Sequence, residues 1–260
     1  MQTNHVVNNQ NNIENEFSNK GRIRAGFEND RTNKPVVNNS KRLSKDEEIG
    51  RSKGGSRNVA ATLILRGYEN ANFEKQQDRL IEWAKQNDYL FTLEEIENEF
   101  GQEIFKDLER EFGSSSSKGG AEALIYRYDN EHLLKVIRYN VWDTKPIGFL
   151  DNRISLHNYL FPDTHYELIG ICRRGKVDKF SFVVKQPFIK GIRPTQNEIH
   201  NEMTKDRKFT RDYFEETRYN SEDYVISDLH TGNWIKGKNG KMYCIDPAPS
   251  LGSKRKYKNI

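Results

Sequence analysis

Residues 223–248 read D-Y-V-I-S-D-L-H-T-G-N-W-I-K-G-K-N-G-K-M-Y-C-I-D-P-A, and the rest of the chain is arranged around them. An apolar run, Tyr224-Val225-Ile226, delivers Asp228 into a short turn, and Asn233 follows five residues later. Two strand-like runs come next, Trp234-Ile235-Lys236 and Met242–Ile245, separated by a turn bounded by Gly237 and Gly240. The second run ends on Asp246. A glycine-bounded turn between two such runs predicts a hairpin. That hairpin brings Asn233 and Asp246 to one edge, with Asp228 on the loop beside them. An acid able to accept a hydroxyl proton, an amide oxygen and a second acid then converge, and the last two could share a Mg²⁺ ion. Asp, Asn and Gly are also ordinary turn residues, so the D-x(4)-N spacing alone is a weak signal. The longer string D-L-H-x-x-N, set between apolar runs and followed by I-D at hairpin distance, is much more specific.

Composition sets the bounds on everything else. A chain of 260 residues has room for one or two domains with a sizeable core. Its hydrophobic fraction is only 34% and its mean hydropathy −0.93, so part of the length is expected not to pack. The charge is mixed, 42 basic against 38 acidic residues, which argues against a dedicated nucleic-acid binder. Cys172 and Cys244 stand far apart with no Cys/His cluster, which gives neither a zinc signature nor a disulfide framework. No apolar run approaches the length of a membrane span, and the N-terminus lacks a signal-peptide apolar core. A cytosolic, reduced compartment is the expectation, with no membrane partner.

Residues 1–57 read as a disordered tail. Asn supplies 11 of the first 40 residues, and the few apolar residues show no period. Residues 58–104 read as a helical extension. It opens at the apolar run Val59–Leu65 and continues into a helix over Asn72–Asn87, in which Phe73, Leu80, Ile81 and Ala84 share one face with Trp83 beside them. Thr92 followed by Glu95 is a capping box for a second helix, Leu93–Phe100.

From Glu111 the pattern becomes strand, glycine/serine loop, strand, Asp129-Asn130 turn, strand. A loop without bulky side chains, here 113–120, lets backbone N–H groups approach phosphate oxygens, although flexible linkers share that composition. Lys135 stands inside the apolar run Leu133–Ile137. A lysine buried there needs an anionic partner, unless it snorkels from a strand edge. Downstream, Phe149, Leu150, Ile154, Leu156 and Leu160 mark a helical apolar face, with His157 on it as a core histidine. Thr195 caps a helix that turns Ile199 and Met203 inward, and Phe209, Tyr213 and Phe214 mark another.

Taken together, G-G-A-E-A-L-I-Y-R, L-L-K-V-I-R, S-F-V-V-K-Q-P-F-I-K-G, D-L-H-T-G-N-W and Y-C-I-D-P-A resemble the polyvalent protein kinase domains of bacterial conjugative elements and phages. The D-L-H-x-G-N core is also similar to that of aminoglycoside and choline phosphotransferases. The resemblance covers residues 105–250 and implies a minimal two-lobed α+β kinase-like fold. Its parts would be an antiparallel N-lobe sheet (105–190) and a short helical C-lobe (191–250), followed by a basic tail (251–260). It implies ATP and Mg²⁺ as ligands and a hydroxyl acceptor on a protein. By position, Gly119 and Gly120 would lie in the phosphate loop and Lys135 on the α/β-phosphates. Gln186 and Phe188 would flank the hinge that receives adenine. Asp228 would be the catalytic base, and Asn233 and Asp246 the metal ligands. Several departures stand out. Ala121 and Ala123 replace loop glycines, and Pro247 replaces the glycine after the metal acid. Only Asp151 and the more distant Glu167 offer themselves as the helix acid that should pair with Lys135. A nucleotide-binding module without transfer, or a small-molecule phosphotransferase, is the alternative reading.

Overall fold

The architecture grows from one apolar strand. β3 (His132–Arg138) pairs antiparallel with β2 (Ala123–Arg127) on one side and β5 (Asp178–Pro187) on the other. β4 (Glu167–Arg174) runs antiparallel to β5, and β1 (Leu90–Thr92) lies parallel to β4 at the edge. The resulting five-stranded sheet has the order β1-β4-β5-β3-β2. The computed structural model describes residues 55–112, 123–138, 145–174 and 178–252. All but the last three residues of the expected N-terminal tail, the glycine/serine loop with Gly119 and Gly120, residues 139–144 and nearly all of the basic tail lie outside the described residues; residues 55–57, expected in the tail, are helical instead.

Both faces of this sheet are covered, which is why β3 reads as an apolar run interrupted only by Lys135. Leu134 and Val136 join Ile96, Tyr126, Cys172 and Val183 under α3 (Leu93–Phe100), the helix that carries Ile96. Ile137 faces the other way, into a core with Phe182 and Val184. That second core is roofed by α1 (Gly55–Arg66), α2 (Phe73–Gln86) and a third helix, α5. α5 spans 146–160 as three consecutive stretches, Pro146–Gly148, Phe149–Leu156 and His157–Leu160, the middle one wound as a π-helix.

Local signals in the sequence account for these helices. Asn72 caps α2 by accepting the Lys75 N–H at 3.0 Å, and Leu80, Trp83 and Ala84 are buried on its inner face. The capping box of α3 is complete, with the Thr92 N–H 2.6 Å from the Glu95 carboxylate. One expectation fails here: the strand read from Glu111 is the end of a helix, α4 (Phe105–Phe112). Phe105, Leu108 and Phe112 recur at helical spacing, and the strand pattern starts only at Ala123.

The remainder is more β than expected. β6 (Gly191–Ile192), β10 (Trp234–Gly237) and β11 (Met242–Cys244) form one small sheet. β7 (Thr210–Arg211), β8 (Tyr219–Asn220), β9 (Tyr224–Ser227) and β12 (Ala248–Leu251) form another, in the order β12-β9-β8-β7. The one α-helix described in this part is α6 (Gln196–Asn201), capped by Thr195 as expected, with Glu198 completing a capping box, and continued by a π-wound turn, Glu202–Asp206. Ile199 and Met203 are fully buried, in a core with Phe161, Tyr219, Ile226, Leu229, Trp234 and Cys244. The helix expected around Tyr213 and Phe214 is absent, and these side chains are 92% and 94% exposed. Asp212 explains it. Its carboxylate accepts the backbone N–H groups of Phe214 (2.9 Å) and Glu215 (3.2 Å) and the Asn220 amide (2.9 Å). Such side-chain bonds offer the backbone a turn in place of a helix. Among the described residues no helix is long and apolar enough to cross a membrane.

Candidate active site

The predicted hairpin forms. Trp234 stands opposite Cys244 and Lys236 opposite Met242, while Gly240 takes φ +79° in the turn. The pairing extends to the Ile245 N–H, which donates to Asn233 O at 2.8 Å. Asn233 and Asp246 therefore leave the hairpin at the same end. Asp228 arrives from the other small sheet, immediately after β9. Its φ is +63°, a left-handed conformation that Asp tolerates better than most residues but still at a cost.

Asn233 holds Asp228 in place. Its Nδ2 donates to both Asp228 O and Asp228 Oδ2, each at 2.8 Å. Two acceptors on that side fix the amide orientation and turn Oδ1 away from Asp228. His230 lies against the same acid. Its Nδ1 accepts the Gly232 N–H at 3.0 Å, which puts the ring hydrogen on Nε2, 3.4 Å from Asp228 Oδ1. Arg193 braces the loop from behind by donating to the carbonyls of Gly232 and Trp234. Burial pushes the Asp228 carboxyl above its ordinary value, and the nearby negative charge of Asp246 adds to the rise against the pull of His230.

Asp246 sits deeper in a cluster of cations and donors. Tyr166 OH lies 3.1 Å from its Oδ1 and 3.0 Å from Ile245 O. Arg153, from α5, places one nitrogen 2.9 Å from Pro247 O and another 3.5 Å from Asp246 Oδ1. Lys135, only 4% exposed, donates to Ile245 O at 3.2 Å and to Tyr166 OH at 3.3 Å. Burial opposes ionisation of Asp246. Even so, Lys135, Arg153 and the Tyr166 hydroxyl together hold its carboxyl below the usual range. Lys135 is shifted down by the same burial, with Asp246 pulling the other way.

The lysine's partner is thus not the acid expected on α5. Asp151 is engaged by Arg66 at 3.0 Å, and Glu167 by Lys185 at 2.5 Å. Gln186 and Phe188 are also fully occupied. The Gln186 amide, 1% exposed, donates to Thr164 O (2.8 Å) and Ile245 O (2.9 Å), and the Phe188 N–H donates to Glu131 O (2.7 Å). Tyr166, Arg153 and Arg193 were not singled out as site residues in the sequence. A tyrosine or arginine that closes a buried network through carbonyl oxygens carries no local motif.

His157 is a core histidine, as read. It is fully buried and stacks on Tyr166, with ring centroids 4.5 Å apart. Its Nε2 donates to Thr164 O at 2.8 Å, which fixes the neutral tautomer. Burial lowers its pKa from 6.5 to about 3. The unfolded chain therefore binds a proton below pH 6.5 that the folded chain refuses, so this residue's stabilisation is complete above pH 6.5 and declines as pH falls toward 3. Urea titrations should show wild type losing about 1.5 kcal/mol more stability than His157→Gln between pH 6.5 and pH 5. Parallel acid limbs in the two proteins would refute it.

For a divalent cation the donor set fits. Asp246 Oδ1 is taken by Tyr166 and Arg153, which leaves Oδ2, and the fixed Asn233 amide presents Oδ1. Two hard oxygens, with the rest supplied by phosphates and water, is the usual Mg²⁺ arrangement at phosphoryl-transfer sites. No cluster of three or more His, Cys, Asp or Glu side chains forms an independent metal site among the described residues.

A mixed α+β fold in which a strand lysine faces an Asp–Asn–Asp group belongs to the kinase-like class of proteins. The comparison with protein families agrees. The chain belongs to the serine/threonine/tyrosine kinases found in polyvalent proteins, whose family model matches residues 73–251. That match begins inside the segment read from sequence as a helical extension. No curated protein and no solved structure matches the chain.

Proposed function

We propose that the protein transfers the γ-phosphoryl group of ATP to a hydroxyl on a protein, at a site between the five-stranded sheet and the two small sheets. The supporting observation is the single network that joins Lys135, Tyr166, Asp246 and Arg153, beside the Asn233-anchored Asp228. Asp228 orients the acceptor hydroxyl and takes its proton as the γ-phosphoryl group departs from ADP. Its raised pKa makes it a better base than an ordinary aspartate. Lys135 exchanges its present acceptors, Ile245 O and Tyr166 OH, for phosphate oxygens of the nucleotide, and Gly119 and Gly120 bring backbone amides to the same phosphates. Asn233 and Asp246 would hold Mg²⁺, which would offset the charge of the nucleotide's phosphates.

The test is calorimetry of ATP binding with and without Mg²⁺, followed by γ-phosphoryl transfer to the protein itself and to a peptide library. Mg²⁺-dependent binding followed by transfer supports the proposal. Binding without transfer leaves a nucleotide-binding module, and no binding by the folded protein refutes the reading. One observation favours a small-molecule acceptor as the second reading. β12 starts two residues after Asp246, so no long segment intervenes to cradle a peptide. Transfer to a sugar or aminoglycoside and to no peptide would select it.

A further inference from the structure

Where the helix beside the sheet was expected to offer Lys135 a carboxylate, α5 offers the metal acid a guanidinium. Arg153 is 8% exposed, and its fork spans the Asp246 carboxylate and the carbonyl of the next residue, Pro247. The shorter of the two bonds, 2.9 Å, goes to the backbone carbonyl. A charge brought into a buried place for electrostatics alone would favour the carboxylate. A planar fork bonded to main chain on one arm and a carboxylate on the other fixes direction.

α5 is itself held firmly. Asn58 of α1, fully buried, donates to Ser155 Oγ at 3.0 Å, and the Ser155 hydroxyl donates to Leu150 O at 2.9 Å. Arg66 of α1 pairs with Asp151 at 3.0 Å, and the Gln76 side chain of α2 accepts the Ile147 N–H at 3.3 Å. Ile147, Phe149, Leu150 and Ile154 pack with Leu65, Leu80 and Trp83 in one core. A rigid path thus runs from the N-terminal helices through α5 to the segment that bears Asp246.

We propose that Arg153 is a positioning residue for Asp246. It aims the carboxylate at the cation, and α1 and α2 seat the helix from which it reaches. This rests on the nucleotide-and-Mg²⁺ reading above. The competing idea, that Arg153 only supplies charge, predicts the opposite sign. Removing a cation beside a metal-binding carboxylate should tighten Mg²⁺ binding by relieved repulsion, whereas removing an orienting group should weaken it.

The experiment measures ATP binding by calorimetry across a Mg²⁺ titration, together with ATP binding in EDTA and thermal melting of the apo protein. For Arg153→Gln the Mg²⁺ concentration at half-saturation should rise about tenfold or more, the range seen when groups that orient metal ligands are removed. Arg153→Lys keeps the charge but cannot span both acceptors, so about a threefold rise is expected. It carries the test if Arg153→Gln does not fold. Asn58→Ala, on the far side of α5, should shift the half-saturation point the same way by a smaller factor, with ATP binding in EDTA unchanged. Unchanged or tighter Mg²⁺ binding in folded Arg153 variants overturns the positioning role while the nucleotide reading stands. Absence of Mg²⁺-dependent ATP binding in wild type overturns both.

Discussion

Asp246→Asn is expected to erase the Mg²⁺ dependence of ATP binding, so that affinities with and without the cation converge. Asp246 supplies the one carboxylate of the proposed cation pair, since the Asn233 ligand is a neutral amide. Asparagine at 246 keeps the shape and one oxygen but offers no charge to a hard dication. Phosphoryl transfer should fall by about 10²–10³-fold, because the cation that would offset the charge of the transferring group loses its one carboxylate ligand. The substitution also removes the anion that Lys135 and Arg153 share. Two buried cations then face each other, and the apo protein should lose about 2–3 kcal/mol of stability. Thermal melting therefore has to accompany the titration. A folded variant whose ATP binding still tightens with Mg²⁺ would place the cation elsewhere.

The second large effect concerns the base. Asp228→Asn should lower the transfer rate by about 10²–10⁴-fold, the usual range for a lost general base, and leave Mg²⁺·ATP binding essentially as it was. Asparagine suits the left-handed backbone at φ +63°, and its side-chain oxygen can still accept from Asn233. Alanine would be a poorer probe, because it would lose that bond at a strained position. In wild type the acid limb of the rate should lie above the ordinary aspartate value of 3.8, because burial and Asp246 both raise Asp228. As pH falls through that raised pKa the base is protonated and the rate drops. A pH–rate profile of wild type without such a limb, or an Asp228→Asn variant with undiminished transfer, would remove Asp228 from this role.

Much of this was legible in the chain because it was local. The D-L-H-T-G-N-W string, the glycine-bounded turn and the apolar run of β3 each encode their geometry within a few residues, as do the capping box at Thr92 and the cap at Thr195. What the sequence hid was long-range or competitive. The link from Arg153 to Pro247 joins residues 94 positions apart, and the amide of Gln186 reaches Ile245 across 59. No spacing rule anticipates such bonds. The helix expected around Tyr213 and Phe214 failed for a different reason. Aromatic residues at plausible spacing were overruled by one aspartate that binds two consecutive backbone N–H groups. Glu111 and Phe112 were misread as a strand because they run into the glycine/serine stretch, which masked the helical recurrence of Phe105, Leu108 and Phe112.

The close pairing of β12 with β9 has a consequence for control. Ala248 stands opposite Ser227, the residue before Asp228, and the ladder continues through Pro249, Ser250 and Leu251 to Tyr224. Asp228, just after β9, and Asp246, just before β12, are thus held together by the ladder between those strands. Swinging Asp246 outward would mean unpicking that ladder and breaking the Arg153–Pro247 tie as well. Under the proposed function this segment would keep the site assembled with or without an acceptor, so output would follow delivery of the acceptor.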